Sequence, residues 1–200
     1  MANSISHGAG FVAALIALAF VAANGRPGST AAGVCGLAVY AVTMAGLYMT
    51  SSIYHGLAEG RAKQLFMKLD YCAIYLFIAG TYTPFTLGAL RGVSGWTLLA
   101  AVWVLALTGV ILRGFDILSH PYITTALYLV MGWLVIFAVG PLLAHVPSAG
   151  IAWLVAGGLA YTVGVVFYLL DSRFKFAHLV WHLFVLAGST CHFVAVARYA

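Results

Sequence analysis

Two histidines, His178 and His182, lie four residues apart in an otherwise apolar segment near the C-terminus. In a helix this spacing places both rings on one face, with Cβ atoms about 5–6 Å apart. Two imidazoles arranged in this way can bind one metal ion, as in helical HExxH zinc sites. The pair alone is a weak indication, because a chain with seven histidines can contain it by chance and the rings can equally form hydrogen bonds between helices.

The composition determines which elements must position these rings. The chain has 200 residues, of which 64% are hydrophobic and 6% are charged, whereas a soluble domain typically has about a quarter of its residues charged. Apolar stretches near the ~20 residues of a spanning helix recur along the chain. We predict seven spans, at residues 7–24, 31–54, 69–89, 94–112, 122–143, 149–170 and 177–197. The predicted fold is all-α, a single integral membrane bundle of seven transmembrane helices over residues 1–200.

The basic residues predict the orientation of the bundle. With the N-terminus inside, six of the nine lysines and arginines fall in inside loops and three in outside segments. The inside residues are Arg61, Lys63, Lys68, Arg113, Arg173 and Lys175, and the outside residues are Arg26, Arg91 and Arg198. The positive-inside rule therefore favours an N-in, C-out protein of the cell membrane. Because the net charge of +5 is explained by topology, we expect no nucleic-acid partner.

Ionisable groups inside a membrane span are costly and indicate function by default. The residues of this kind in the predicted spans are His55, Asp70, His178, His182 and His192. The residues placed at helix ends or in loops, where water can solvate them, are His7, Glu59, Asp116, His120, His145 and Asp171.

The predicted topology brings four of the groups in the spans to one membrane depth. Helix two ends at the inner face, while helices three and seven begin there, so His55 and Asp70 reach the level of the histidine pair. His192 lies 14 residues beyond His178, about 21 Å along the helix. It is therefore too far away to join the site, and we interpret it as structural.

The four groups at the inner face predict a metal centre. His55 would supply a third imidazole, and three protein ligands plus water are typical of catalytic zinc. Zinc lowers the pKa of bound water to about 7 and supplies hydroxide at neutral pH. Asp70 would act as general base through that water or bind the metal itself. The Ser51 hydroxyl, one turn before His55, would orient the water or polarise a substrate carbonyl.

Each member of this group also has a simpler interpretation. Asp70 alone would serve as a negative charge at a helix N-terminus, and His55 could extend to interfacial water. Ser51 could pack between helices. His7 either lines the cavity or follows a helix cap. The residues available for that cap are Asn3, Ser4 and Ser6.

The chain resembles the bacterial hemolysin III family, which is related to the progestin and adipoQ receptors and, more widely, to alkaline ceramidases. The segments that carry the resemblance are NSISHG at the start, SSIYH at the end of helix two, DYCAIYLFIAGTYTPF in helix three and HLVWH in helix seven. The resemblance implies seven helices, a cytoplasmic N-terminus and a zinc site at the inner leaflet. The implied zinc ligands are His55, His178 and His182, accompanied by Asp70 and Ser51.

Three functions are compatible with these residues. The first is a zinc-dependent hydrolase of the ceramidase type, which cleaves an amide or ester bond of a lipid-like substrate in contact with membrane lipids. The second is a non-enzymatic membrane regulator or sensor in which zinc is structural. The third is a pore-forming cytolysin, which the family name implies, although the spans show no ordered polar stripe. Neither the substrate nor the oligomeric state follows from the sequence.

Overall fold

The structure is a computed structural model and describes residues 1–23 and 30–200. These residues form helices and connections without a β-strand. The helices are α1 (Ala2–Ala23), α2 (Ala31–Gly56), α3 (Arg61–Leu87), α4 (Val93–Gly114), α5 (Pro121–Gly132), α6 (Val139–His145), α7 (Ser148–Leu169) and α8 (Ala177–Tyr199), with a 3₁₀ segment at Leu134–Ala138. The predicted first loop, with Arg26, lies outside the described residues.

Seven spans are present in the described part of the chain, as predicted. Six are single helices, and the fifth, Pro121–His145, combines α5, the 3₁₀ segment and α6. Each is long and apolar enough to cross a membrane. Large apolar side chains such as Val104, Leu107 and Ile111 are exposed on the outside of the bundle, where lipid rather than water would solvate them.

The spans form a ring of neighbouring helices. Neighbouring pairs run from α1 to α2, α3, α4 and α5, continue to α7 and α8, and return to α1. Further contacts join α3 to α5 and α8, and join α2 to α8, across this ring. α2 and α8, the helices that carry the candidate histidines, therefore meet across the ring, with His182 buried and His55 and His178 partly buried.

Two helices begin earlier than the hydropathy predicts. α1 begins at Ala2, so Asn3, Ser4 and Ser6 lie within the helix, and the prediction that they cap it is wrong. α3 begins at Arg61, eight residues before the predicted start. The additional turns, RAKQLFMK, contain strong helix formers, and several of their side chains are exposed. Because these first turns are polar, the apolar pattern predicts only the part of α3 that follows them.

The fifth span is interrupted, which its continuous apolar sequence does not predict. α5 ends at Gly132, and a 3₁₀ segment follows before α6. The Tyr82 hydroxyl of α3 compensates for the interruption, because it donates to the carbonyls of Met131 (2.9 Å) and Gly132 (2.7 Å). It also accepts from the backbone N–H of Val135 at 3.1 Å. A tyrosine from a neighbouring helix thus satisfies backbone groups at the point where the span is interrupted.

Candidate metal centre

The three predicted histidines meet at one end of the bundle. His55 lies in the last turn of α2, and His178 and His182 lie in the first two turns of α8. Each offers one ligand nitrogen, and these atoms all lie within 4.8 Å of one another. The ring centroids are 4.8–4.9 Å apart in the three pairs. We call these three residues the histidine triad.

Hydrogen bonds assign the protons on the two α8 rings. His182 Nδ1 lies 3.1 Å from the carbonyl oxygen of Asn3, and His178 Nδ1 lies 3.0 Å from Asp171 Oδ2. A carbonyl and a carboxylate only accept, so each Nδ1 carries the proton that it donates. Each Nε2 is then left with a lone pair. Metal-binding histidines are typically oriented by a carboxylate or backbone carbonyl in this way.

The third ring and the donor set also fit a metal ion. His55 Nε2 is buried and has no hydrogen-bond partner among the described residues. Leaving such an atom unsatisfied costs about 1–3 kcal/mol, and a metal ion would use its lone pair. Three imidazole nitrogens with room for a further ligand suit zinc. The residues present therefore fit the predicted ion.

Asp171 is a contributor that the sequence reasoning missed. It lies between α7 and α8, where the sequence predicts a loop residue solvated by water. Its side chain is 39% exposed, but its carboxylate is paired with His178. A signal was available, because the chain has only four acidic residues and Asp171 lies seven positions before the first histidine of the pair.

Asp70 and Ser51 lie beside the triad. Ser51 is one turn before His55 on α2 and is 2% exposed, and Ser51 and Asp70 line the same cavity as His178 and His182. Asp70 is the tenth residue of α3, not part of its first turn as predicted, because the helix begins at Arg61. The helix dipole acts mainly within the first turn, so the interpretation of Asp70 as an N-terminal helix charge is wrong.

A cavity of about 250 Å³ extends from this cluster into the bundle. Asp70, Ser51, His178 and His182 line it at the triad end. Its other walls are mainly apolar and aromatic, including Phe77, Ile78, Leu129, Trp133 and Val165. The cavity is therefore polar at the triad end and mainly apolar elsewhere.

His192 also lines the cavity, but it does not belong to the triad. Its Nε2 donates to the carbonyl of Leu154 at 3.2 Å. This hydrogen bond joins α8 to α7, which agrees with the structural interpretation of His192.

Comparison with known proteins identifies the family. The family model described as "Haemolysin-III related" matches residues 1–193. The chain belongs to this family. The predicted resemblance is confirmed, and the family assignment together with the seven spans indicates a multi-pass membrane protein.

Three related proteins align with most of this chain. "Hemolysin-3" of Bacillus cereus is 42% identical over 199 residues, which cover 100% of this chain and 90% of the relative. "Hemolysin-3 homolog" of Bacillus subtilis (strain 168) is 40% identical, with 100% and 93% covered. "Monocyte to macrophage differentiation factor" of Homo sapiens is 28% identical over 173 residues, with 80% and 68% covered. No solved structure matches the chain.

Proposed function

We propose that the protein is a zinc-dependent membrane hydrolase that cleaves an amide or ester bond of a lipid-like substrate. The observation that carries the proposal is the convergence of three imidazoles, two of which, His178 and His182, line a cavity of about 250 Å³. Ser51 and Asp70 lie at the same end of this cavity, and apolar side chains form most of its remaining wall. The substrate's polar head would lie at the triad and its apolar part along the cavity.

Each residue of the cluster has a role in this reaction. His55, His178 and His182 would hold the zinc ion, which supplies a hydroxide nucleophile at neutral pH when bound. The Asp70 carboxylate accepts the proton of the attacking water and returns it to the leaving amine or alcohol as the C–N or C–O bond breaks. The Ser51 hydroxyl, which lines the same cavity as Asp70, orients the attacking water or polarises the substrate carbonyl. The products are a carboxylic acid and the released amine or alcohol.

We place the site at the cytoplasmic face of the cell membrane, in a protein with its N-terminus inside. The support is the charge distribution, because six basic residues lie at the triad end in this topology and three lie in the opposite segments. Lys68, for example, forms an ion pair with Asp116 in the connection after α4. A substrate would then come from the inner leaflet or the cytoplasm.

One observation also supports a structural metal in a non-enzymatic regulator. α2 packs mainly on α1 and α3, whereas α8 packs mainly on α7. A metal ion held by the triad would link two helices that otherwise contact each other little. A structural ion would therefore stabilise the bundle without turning over a substrate.

The test combines metal analysis with a lipid assay on the purified full chain. Zinc content is measured for the wild type, His182→Ala and Asp70→Asn, and fatty acid released from N-acyl and O-acyl lipids is measured by mass spectrometry. His120→Ala is the control, because this imidazole is exposed and makes no capping hydrogen bond.

If the protein is this hydrolase, the wild type and His120→Ala should each bind one zinc ion and release fatty acid. Asp70→Asn should retain zinc but lose product, and His182→Ala should lose both. Zinc without product for any lipid, accompanied by a large drop in melting temperature on chelation, would instead favour the structural metal. Dye release from liposomes by the metal-free protein would favour a cytolysin.

A further inference from the structure

The first turns of α1 lie directly against the His182 ring. Two oxygens accept from the His182 Nδ1–H, the Asn3 carbonyl and the Ser6 hydroxyl, each at 3.1 Å. The Ser6 hydroxyl donates its own proton to the Asn3 carbonyl at 2.9 Å, which leaves its lone pairs facing the ring. These contacts fix the rotation of the imidazole in its own plane and keep the proton off Nε2.

His7 restrains the same ring in the perpendicular direction. The His7 and His182 rings are stacked, with centroids 3.6 Å apart and planes inclined by 12°. The Tyr48 ring of α2 packs edge-on against His7, with the ring centroids 5.1 Å apart. His7 is only 3% exposed. Neither His7 nitrogen has a hydrogen-bond partner among the described residues, so no hydrogen bond sets the orientation of this ring.

α1 is itself fixed to α2, the helix that carries His55. Ser4 Oγ donates to the Ser52 carbonyl at 2.8 Å, and Ser52 Oγ donates to the Ser4 carbonyl at 2.9 Å. A Cβ at Gly8 would lie 3.1 Å from Ser52 Oγ, so the absence of a side chain allows this approach. α1 therefore contacts both of the helices that carry the triad.

We propose that Ser6 and His7 are positioning residues for the metal centre, which hold the His182 imidazole in the orientation that presents Nε2 to the ion. This inference rests on the proposed function, because it requires that the triad binds a metal. Removing the partners that orient a metal-binding histidine typically lowers metal affinity about 10- to 100-fold. Ser6 and His7 both lie on α1, so a helix that contributes no ligand to the triad would control its metal affinity.

The experiment measures binding of Zn²⁺ and Co²⁺ to the full chain by competition with a chelator and records the visible absorption of the Co²⁺ form. Ser6→Ala removes the hydroxyl partner, His7→Ala removes the stacked ring, and His7→Phe restores a flat ring. Ser4→Ala is the matched control, because it removes one of the two Ser4–Ser52 hydrogen bonds, leaves the bond from Ser52 Oγ to the Ser4 carbonyl in place, and does not touch His182.

Positioning predicts that Ser6→Ala and His7→Ala each bind Zn²⁺ about 10-fold or more weakly and have altered cobalt bands. His7→Phe should recover most of the affinity, and Ser4→Ala should bind as the wild type does. Wild-type affinity and spectrum in both alanine variants would overturn the inference, as would an equal loss in Ser4→Ala, which would indicate that docking of α1 alone matters. A wild type that binds no zinc would instead refute the proposed function.

Discussion

Replacement of Asp171 tests how the metal centre is held together. Its carboxylate accepts from His178 Nδ1 at 3.0 Å, and the two side chains are 39% and 26% exposed. Exposed charge pairs contribute about 0.2–1 kcal/mol, and hydrogen bonds to charged groups about 1.5–3 kcal/mol. A half-exposed pair of this kind should contribute about 1.4 kcal/mol, which corresponds to about a tenfold change in affinity.

The expected zinc affinities follow from that magnitude. Asp171→Ala should bind Zn²⁺ about tenfold more weakly than the wild type in a chelator competition assay. Asp171→Asn retains a neutral acceptor, and because a charge-assisted hydrogen bond is roughly twice as strong as a neutral one, its loss should be about threefold. Asp116→Asn is the control, since Asp116 pairs with Lys68 and lies outside the triad. Wild-type affinity in Asp171→Ala would refute the orienting role.

Three further predictions concern other parts of the molecule. His55→Ala should abolish stoichiometric zinc binding, as measured by elemental analysis, because it removes the contribution of α2 to the triad. Asp70→Asn should keep its zinc while lipid turnover falls about 10²- to 10⁴-fold, the usual contribution of a general base. Gly36→Ala should lower the thermal melting temperature, because its Cβ would lie 2.8 Å from the Pro84 backbone, and overpacking costs about 1–3 kcal/mol. Gly46→Ala in the same helix, with open space around it, should melt at or above the wild-type temperature.

Much of the fold follows from composition and span length alone. A chain with 6% charged residues and seven apolar stretches can bury its backbone only as a helical bundle. Helix ends were less predictable, because the polar turns that begin at Arg61 extend α3 beyond its apolar part. The interruption after Gly132 was not predictable either, since it depends on the hydroxyl of Tyr82, a residue 50 positions away.

Part of the candidate site could also be predicted from the sequence, and part of it could not. The i, i+4 spacing of His178 and His182 and the order of the helices were sufficient to predict that His55 would meet them. The oxygens that orient the rings were harder to predict. His182 is oriented by the backbone carbonyl of Asn3, which carries no sequence signal, and by the Ser6 hydroxyl of the same helix. His178 is oriented by Asp171, which lies close to it in the sequence, but the path of the connection that brings the carboxylate to the ring depends on tertiary packing.

X-ray absorption of the zinc-loaded wild type tests the central claim most directly, because it reports the first coordination shell of the ion. The proposed site predicts one zinc per chain with three imidazole nitrogens at about 2.0–2.1 Å and one additional oxygen. The imidazole count should fall in the His55→Ala, His178→Ala and His182→Ala variants. A shell with fewer than three imidazoles, or one that is unchanged by these substitutions, would contradict the account.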